Sequence, residues 1–431
     1  MAKRKHHWEQ KKIINITING VKNVRLITFG FLLTLLSPSY SLASQDVENF
    51  QAFINRVLEN SNPVQIKSLE LEAEKLRAKQ TNYYYLPKIS ASGKIKSHDG
   101  STSSNITASS LVYDTTLTHK FNEKNLKLKI STLSLNKEKE ELYTSTTNNL
   151  IGIYYLNELT KTTDDLNKNA KNIFKLITHR YKSGIAKYSD VEQASLLMQR
   201  IETELQNIEK EIEQYKSNIE LLSGITFPSK GVQVPKNLLK KLQKTIIDSE
   251  NAQQNSEYNL LRMQADAMKE NAYQQNPFLN VNVIAEERFV DQVRSRNESY
   301  MGMEVKLNIF DLDKILNEKS QLKLYEATKG KADYKYKEST AKIKNLKLIA
   351  NSNATELAGL HAQRKTMRSI VKSQQREYEI SQSSFYEMVN TLFDMLTMER
   401  RIAELMIADM KNKMEYIQLT GKLAEIETLS K

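Results

Sequence analysis

Apolar and polar residues alternate in four short stretches of this chain, most strictly in the first, and follow helical or heptad spacing through most of the rest. From Lys88 to Lys96, Ile89, Ala91, Gly93 and Ile95 alternate with Lys88, Ser90, Ser92, Lys94 and Lys96. A strand sends successive side chains to opposite faces, so this stretch predicts a strand with one apolar and one cationic face. Asn105–Tyr113 predicts a second strand, with Ile106, Ala108 and Val112 on one face. Residues 278–286 predict a third through Leu279, Val281, Val283 and Ala285. In the fourth, 300–310, Met301, Met303, Val305, Leu307 and Ile309 oppose Gly302, Glu304, Lys306 and Asn308. Polar loops, Ser97–Ser104 and Glu287–Ser299, join the strands of each pair. Strands of about nine to eleven residues suit a tilted crossing of a lipid bilayer.

Each pair is entered and left alike. A helical stretch opened by Asn62-Pro63 ends at Tyr85-Leu86-Pro87, and one opened by Asn255-Ser256 ends at Asn276-Pro277. The exits are Val112-Tyr113-Asp114 and Ile309-Phe310-Asp311, which makes Asp114 and Asp311 equivalent strand-exit positions. Beyond Thr115 the next strong turn is His179 to Gly184, about 70 residues on, or roughly 100 Å of helix broken only at Gly152. The return passes Ser189-Asp190-Val191. It then carries Ile201, Leu205, Ile208, Ile212, Tyr215, Ile219 and Leu222 at steps of four and three, the seam of helices packed along their length. The second copy runs out from Leu312, turns near Phe385–Asn390 and returns through Ile402, Met406, Met410, Met414 and Ile417. Asp190 and Asp394 each lie nine residues after an aromatic, Tyr181 and Phe385, and are read as matching positions.

The pattern predicts a mainly α chain with a membrane β part. It consists of two tandem repeats, 44–224 and 255–431, of a strand pair plus long antiparallel coiled-coil helices, separated by an inter-repeat segment at 225–254.

Composition agrees. There are 6 Pro and 12 Gly, and no proline lies between Lys88 and Phe227 or between Phe278 and Lys431, as very long helices require. Lys22 and Arg25 precede an apolar run from Leu26 to Leu36, followed by Ser37-Pro38 and Ser41-Leu42-Ala43. That is the layout of a secretory signal peptide, expected over residues 1–43, and the run is too short to span a bilayer. The leader also holds seven of the Lys and Arg residues and only one acid, Glu9, so it supplies half of the formal charge of +12. What remains is interleaved Lys and Glu, a solvated helical face rather than a nucleic-acid stripe. After Ala43 no apolar run is long enough for a membrane helix, so any crossing must use strands. With 0 Cys the chain has no disulfide, thiolate metal site or lipidated N-terminal cysteine.

No catalytic constellation is present. His98, His119, His179 and His361 lack metal-ligand spacing, and no phosphate loop occurs. Met395, Met398, Met406, Met410 and Met414 read as helix packing rather than a copper site. The chain is therefore read as a non-enzyme with no cofactor and no metal, either an export duct or a structural coiled-coil scaffold of the envelope. A scaffold explains the heptads but leaves the four alternating strands without a purpose.

Taken together, the leader, Asn62-Pro63, Tyr85-Leu86-Pro87, the Phe310-Asp311 exit, Tyr181-x-x-Gly184 and Asp190-Val191, in duplicated order, resemble the TolC family of outer-membrane efflux and secretion ducts. The resemblance runs from Ser44 to about Leu423. It implies a homotrimer in the outer membrane, with a shared 12-stranded β-barrel continued across the periplasm by an α-helical barrel. It also implies a periplasmic adaptor meeting the helical tips, and an inner-membrane pump, ABC or proton-driven, behind that. Carried onto this sequence, Tyr181, Gly184, Asp190, Phe385, Met388 and Asn390 become adaptor-contact candidates. Asp394 and Thr397 become pore-constriction candidates. Met388 stands where the family usually has glycine, Asn390 where arginine is common, and Thr397 at the usual second aspartate.

Overall fold

A computed structural model describes residues 47–95, 102–248, 251–291, 298–379 and 385–423. The leader expected over 1–43 lies outside the described residues. The element order is β1 (Glu48–Asn49), α1 (Phe50–Asn60), α2 (Asn62–Lys79), β2 (Lys88–Ile95), β3 (Thr102–Asp114), α3 (Leu117–Lys182), α4 (Tyr188–Ser223), β4 (Val232–Gln233), α5 (Lys236–Lys244), α6 (Ser256–Gln274), β5 (Leu279–Asp291), β6 (Glu298–Leu307), α7 (Leu312–Glu379) and α8 (Phe385–Leu419). The duplication is visible in the lengths: α2 and α6 have 18 and 19 residues, α3 and α7 have 66 and 68, and α4 and α8 have 36 and 35.

The four long strands form one antiparallel sheet in the order β2-β3-β5-β6. The helices that feed and leave them, α2, α3, α6 and α7, pack side by side in the same order. The two orders coincide because each strand continues into one helix. β2 and β6 are thus the free edges of the sheet, and α2 and α7 the free edges of the helical layer.

Three strand limits differ from the sequence reading. β3 begins at Thr102 and β5 runs to Asp291, so part of each expected polar loop is strand. β6 stops at Leu307: the Asn308 N–H still donates to the Phe278 carbonyl across from it (2.9 Å), and Ile309 and Phe310 lie beyond the sheet. β3 also carries a bulge. Leu111 pairs with Asn282, but the next paired residue is Tyr113, with Val281. A bulge adds one residue and shifts the faces beyond it. It sends Tyr113 to the apolar face and returns Asp114, opposite Asn280, to the polar one. Without it Asp114 would stand among Ile106 and Ala108.

Gly152 does not break α3, which is one continuous helix. Its reason is close approach: a Cβ there would stand 2.7 Å from the Tyr215 ring of α4. That ring is held by Lys411 of α8, whose Nζ donates to the phenol oxygen (3.1 Å) and lies 4.7 Å from the ring centroid. Gly152→Ala should therefore destabilise. Overpacking of about 1–3 kcal/mol exceeds the helix-propensity gain of up to ~1 kcal/mol. Chemical denaturation followed by helical circular dichroism reads the difference, and a stabilised variant would contradict it.

The segment between the repeats is not a plain linker. β4 pairs in parallel with β1, Phe227 packs edge-to-face on Phe53 at 5.7 Å, and α5 buries Leu238, Leu239 and Leu242. Sequence reading missed α1 and both short strands, which follow no long periodic pattern. The remaining core runs along the coiled coils in two clusters. One of them lies toward the α3–α4 turn, with Ile173, Ile177, Leu197, Phe385, Met388 and Leu392 among its members. No helix among the described residues is long and apolar enough to cross a membrane.

Candidate pore and tip surfaces

The sheet has two chemically opposite faces. Direct cross-strand partners share a face, so the register places Ile89, Ala108, Ala285 and Met301 together, and likewise Val281 with Val305 and Val283 with Met303. These side chains meet solvent in the single chain: Met301 is 78% exposed, Ile89 74% and Met303 69%. The opposite face is polar and internally bonded. Asn105 Nδ2 donates to Glu286 Oε1 (2.6 Å), Asn282 donates to Asn280 Oδ1 (2.7 Å), and Lys306 pairs with Glu304 (3.1 Å). Exposed aromatics, Tyr85, Tyr113, Phe278 and Phe310, gather where the sheet meets the helices. Aromatics at the end of an apolar band suit a lipid headgroup level.

Both strand-exit aspartates organise the start of a long helix. Asp114, buried, accepts from the Thr116 N–H and hydroxyl (2.7 Å each) and from Lys120 (2.6 Å). Asp311 accepts from the Lys314 N–H (3.2 Å) and pairs with its ammonium (3.2 Å). Those bonds hold the Asp311 carboxyl below its usual range, the backbone N–H first.

At the α3–α4 turn, Gly184 adopts φ +73°, a left-handed conformation that ends α3 with its N–H on the Tyr181 carbonyl (2.9 Å). Tyr181, Ile185 and Tyr188 project outward, and the two tyrosine rings lie 5.5 Å apart. Arg180 ties this end to α7: its guanidinium lies 4.8 Å from the Tyr378 ring centroid and donates to the Tyr378 carbonyl (2.8 Å). Asp190 forms a capping box with Lys187.

The second turn is not where sequence spacing put it. Phe385–Asn390 is the first part of helix α8, and residues 380–384, which precede it, lie outside the described residues. The physical reason is periodic. Phe385, Met388, Leu392, Met395 and Leu396 recur at helical steps and are all buried against α3, α4 and α7. Phe385 (4% exposed) and Met388 (1%) are therefore core residues and not turn-surface residues. Asp190 and Asp394 are not matched locally either, since Asp190 caps α4 whereas Asp394 lies in the third turn of α8.

The structure does bring Asn390, Asp394 and Thr397 together. With Glu387, Arg401 and Glu404 they form one exposed polar stripe along α8, at steps of three and four. Sequence reading missed the last three, although the same heptad count finds them. Three consecutive residues, running from the buried side of α8 out to the stripe, bind the helix to its neighbours. Glu399, buried, meets Arg364 and Arg368 of α7 (3.4 Å each). Arg400 meets Glu204 (3.0 Å) and Glu211 of α4 and Glu404 of its own helix (3.0 Å). Arg401 meets Glu356 of α7 (2.7 Å) and holds that carboxyl below its usual range. Burial works against the Arg400 charge, but the bonds to Glu211 and Glu404 outweigh it, so its proton is held more tightly than usual. Glu211, one of the interleaved Lys and Glu positions of the kind expected on a solvated helical face, is thus an interhelical anchor. Among the described residues no group of three or more His, Cys, Asp or Glu could hold a metal ion.

No family model matches the sequence, and no curated protein matches it either. Solved structures do match. The outer membrane protein VceC of Vibrio cholerae is 14% identical, covers 86% of this chain and 95% of its own, and has a TM-score of 0.67. The CmeC outer membrane channel of Campylobacter jejuni is 12% identical, with 89% of each chain covered and a TM-score of 0.68. This chain has the outer-membrane channel fold. The open state of the Neisseria gonorrhoeae MtrE outer membrane channel matches too, at 13% identity, 86% and 89% coverage and a TM-score of 0.65. The fold is the one that the TolC resemblance implied.

Proposed function

We propose that this chain is a passive outer-membrane channel-tunnel. In this reading three copies close one twelve-stranded barrel in the outer membrane and extend it as a helical tunnel through the periplasm. The observation that carries it is the four-stranded sheet, apolar on one face, polar on the other and unpaired at both edges. Lipid tolerates no open edge, and four strands cannot close a barrel alone. In a closed ring β6 of one copy meets β2 of the next, and α7 meets α2. The exposed Ile66 and Leu69 of α2, three residues apart on one helix face, support that contact. A purely structural coiled-coil scaffold gives the apolar sheet face nothing to cover it.

The α3–α4 turn, with Tyr181, Gly184, Ile185 and Tyr188, is the adaptor-facing surface of this reading. An inner-membrane pump, of a tripartite efflux or type I secretion system, supplies the energy. The α8 stripe lines the periplasmic mouth, where three copies of Asp394 surround one axis. Close carboxylates in a narrow mouth concentrate cations. Purified protein in planar bilayers should therefore conduct with cation preference, and Asp394→Asn should bring the reversal potential under a salt gradient close to zero while leaving assembly unchanged. Absence of conductance counts against the channel. Unchanged selectivity in the variant removes Asp394 from the pore.

A further inference from the structure

We infer that a recess beneath the sheet is a transit subsite for amphipathic organic anions. The inference deepens the channel reading and rests on it, because the recess opens on the polar face that the reading assigns to the lumen. The cavity, about 760 Å³, lies where β2 and β3 meet the end of α2 and the start of α3. That is within the range of pockets that hold drug-sized molecules.

Its charge is one-sided. Lys79, Lys88, Lys120 and Lys124 line it, from two helices and a strand. Among the described residues Lys120 is paired with Asp114, and Lys124 meets only the Gln80 side-chain oxygen (3.2 Å). Lys79 and Lys88 form no ion pair with any described residue. The one carboxylate in the lining, Glu123, is already committed to Lys127 (2.7 Å), Gln274 (2.8 Å) and Asn271 (3.0 Å). Burial raises its pKa, but these partners outweigh that and keep it below the usual range, so it stays ionised and occupied. Three lysines, Lys79, Lys88 and Lys124, therefore face one cavity with no acid among the described residues to balance them.

The rest of the lining is greasy. Leu76, Tyr83, Leu86, Leu117 and Phe121 form it, joined by Leu111. Leu111 is the single apolar residue on the polar face of β3 before the bulge, where Ser103, Asn105, Thr107 and Ser109 precede it. An apolar side chain facing a water-filled lumen gains nothing by itself. Against the body of a passing solute it does. Cationic groups above an apolar floor select a molecule with an aromatic or aliphatic body and a carboxylate or sulfonate head.

The test is calorimetric titration of the full chain in lipid nanodiscs with 2-naphthalenesulfonate, blanked against empty discs. A naphthyl trimethylammonium cation and inorganic sulfate serve as comparison probes. The sulfonate should bind at one site per chain, and the other two should not. Lys79→Gln and Lys124→Gln should each weaken binding about twofold to fivefold, as for partly exposed charge pairs, and together about tenfold. Equal binding of the cation, unchanged affinity in the double variant, or no sulfonate binding overturns the subsite. Single-channel conductance of the same preparations separates the two failures. A conducting protein without binding loses only the subsite, whereas a non-conducting one loses the channel.

Discussion

Met303→Arg should abolish assembly, while Gly302→Arg, one residue away on the same strand, should leave it intact. Met303 lies midway along β6, opposite Val283 on the apolar face, and is 69% exposed in the single chain. A cation facing hydrocarbon near the bilayer midplane costs about 2–4 kcal/mol, and a trimer carries it three times, or about 6–12 kcal/mol in all. Gly302 faces the other way. A Cβ there meets only Tyr300 at 4.0 Å, and an arginine would find Glu304 on its own face two residues on. The pair introduces the same charged side chain at nearly the same depth, on opposite faces of one strand. Heat-modifiable mobility of outer-membrane fractions on a denaturing gel reads assembly. Equal assembly of both variants would mean that the faces are wrongly assigned.

The second large effect lies in the helices. Replacing Arg364 and Arg368 together by Met strands the Glu399 carboxylate, which is 4% exposed. Removing the partners of a fully buried charge costs about 3–5 kcal/mol. The two arginine side chains are 33% and 57% exposed, so water already screens the cluster and about 2–3 kcal/mol is the better expectation. The loss falls on the α7–α8 contact that fixes the Asp394 and Thr397 stripe. Amide hydrogen exchange across 392–405 should accelerate about thirtyfold to hundredfold, whereas amides of β3 and β5 should not change. Uniform acceleration through the whole chain, or none, would contradict a local clamp.

Much of this fold was legible in the sequence because its elements are long and periodic. Alternation over Leu279–Ala285 and Met301–Leu307 found both faces of the sheet, and the heptads of α4 and α8 found the coiled coils. Legibility failed where periodicity is short or where one geometry overrides another. The two-residue strands β1 and β4 show only through their pairing, and the bulge at Val112 depends on a partner strand far away in sequence. Gly152 looked like a break because glycine weakens helices, whereas here it makes room for Tyr215. The second turn was misplaced because the course of the first copy was laid onto the second, although Phe385, Met388 and Leu392 already carry helical spacing. Ion pairs such as Glu399 with Arg364 join residues 35 apart on two different helices, and spacing along one helix does not reveal them.

The central claim is that β6 of one copy closes on β2 of the next and that three copies complete the ring. With 0 Cys in the sequence, introduced cysteines report without background. The most direct measurement is oxidative crosslinking in isolated outer membranes of chains carrying Ser92→Cys on β2 with a second cysteine scanned through Gly302, Glu304 and Lys306 on β6. At the matching register, a non-reducing gel should show monomer, dimer and a covalent trimer, and nothing larger. A ladder that stops at dimer, runs past trimer, or never rises above monomer at any register would contradict a three-chain barrel.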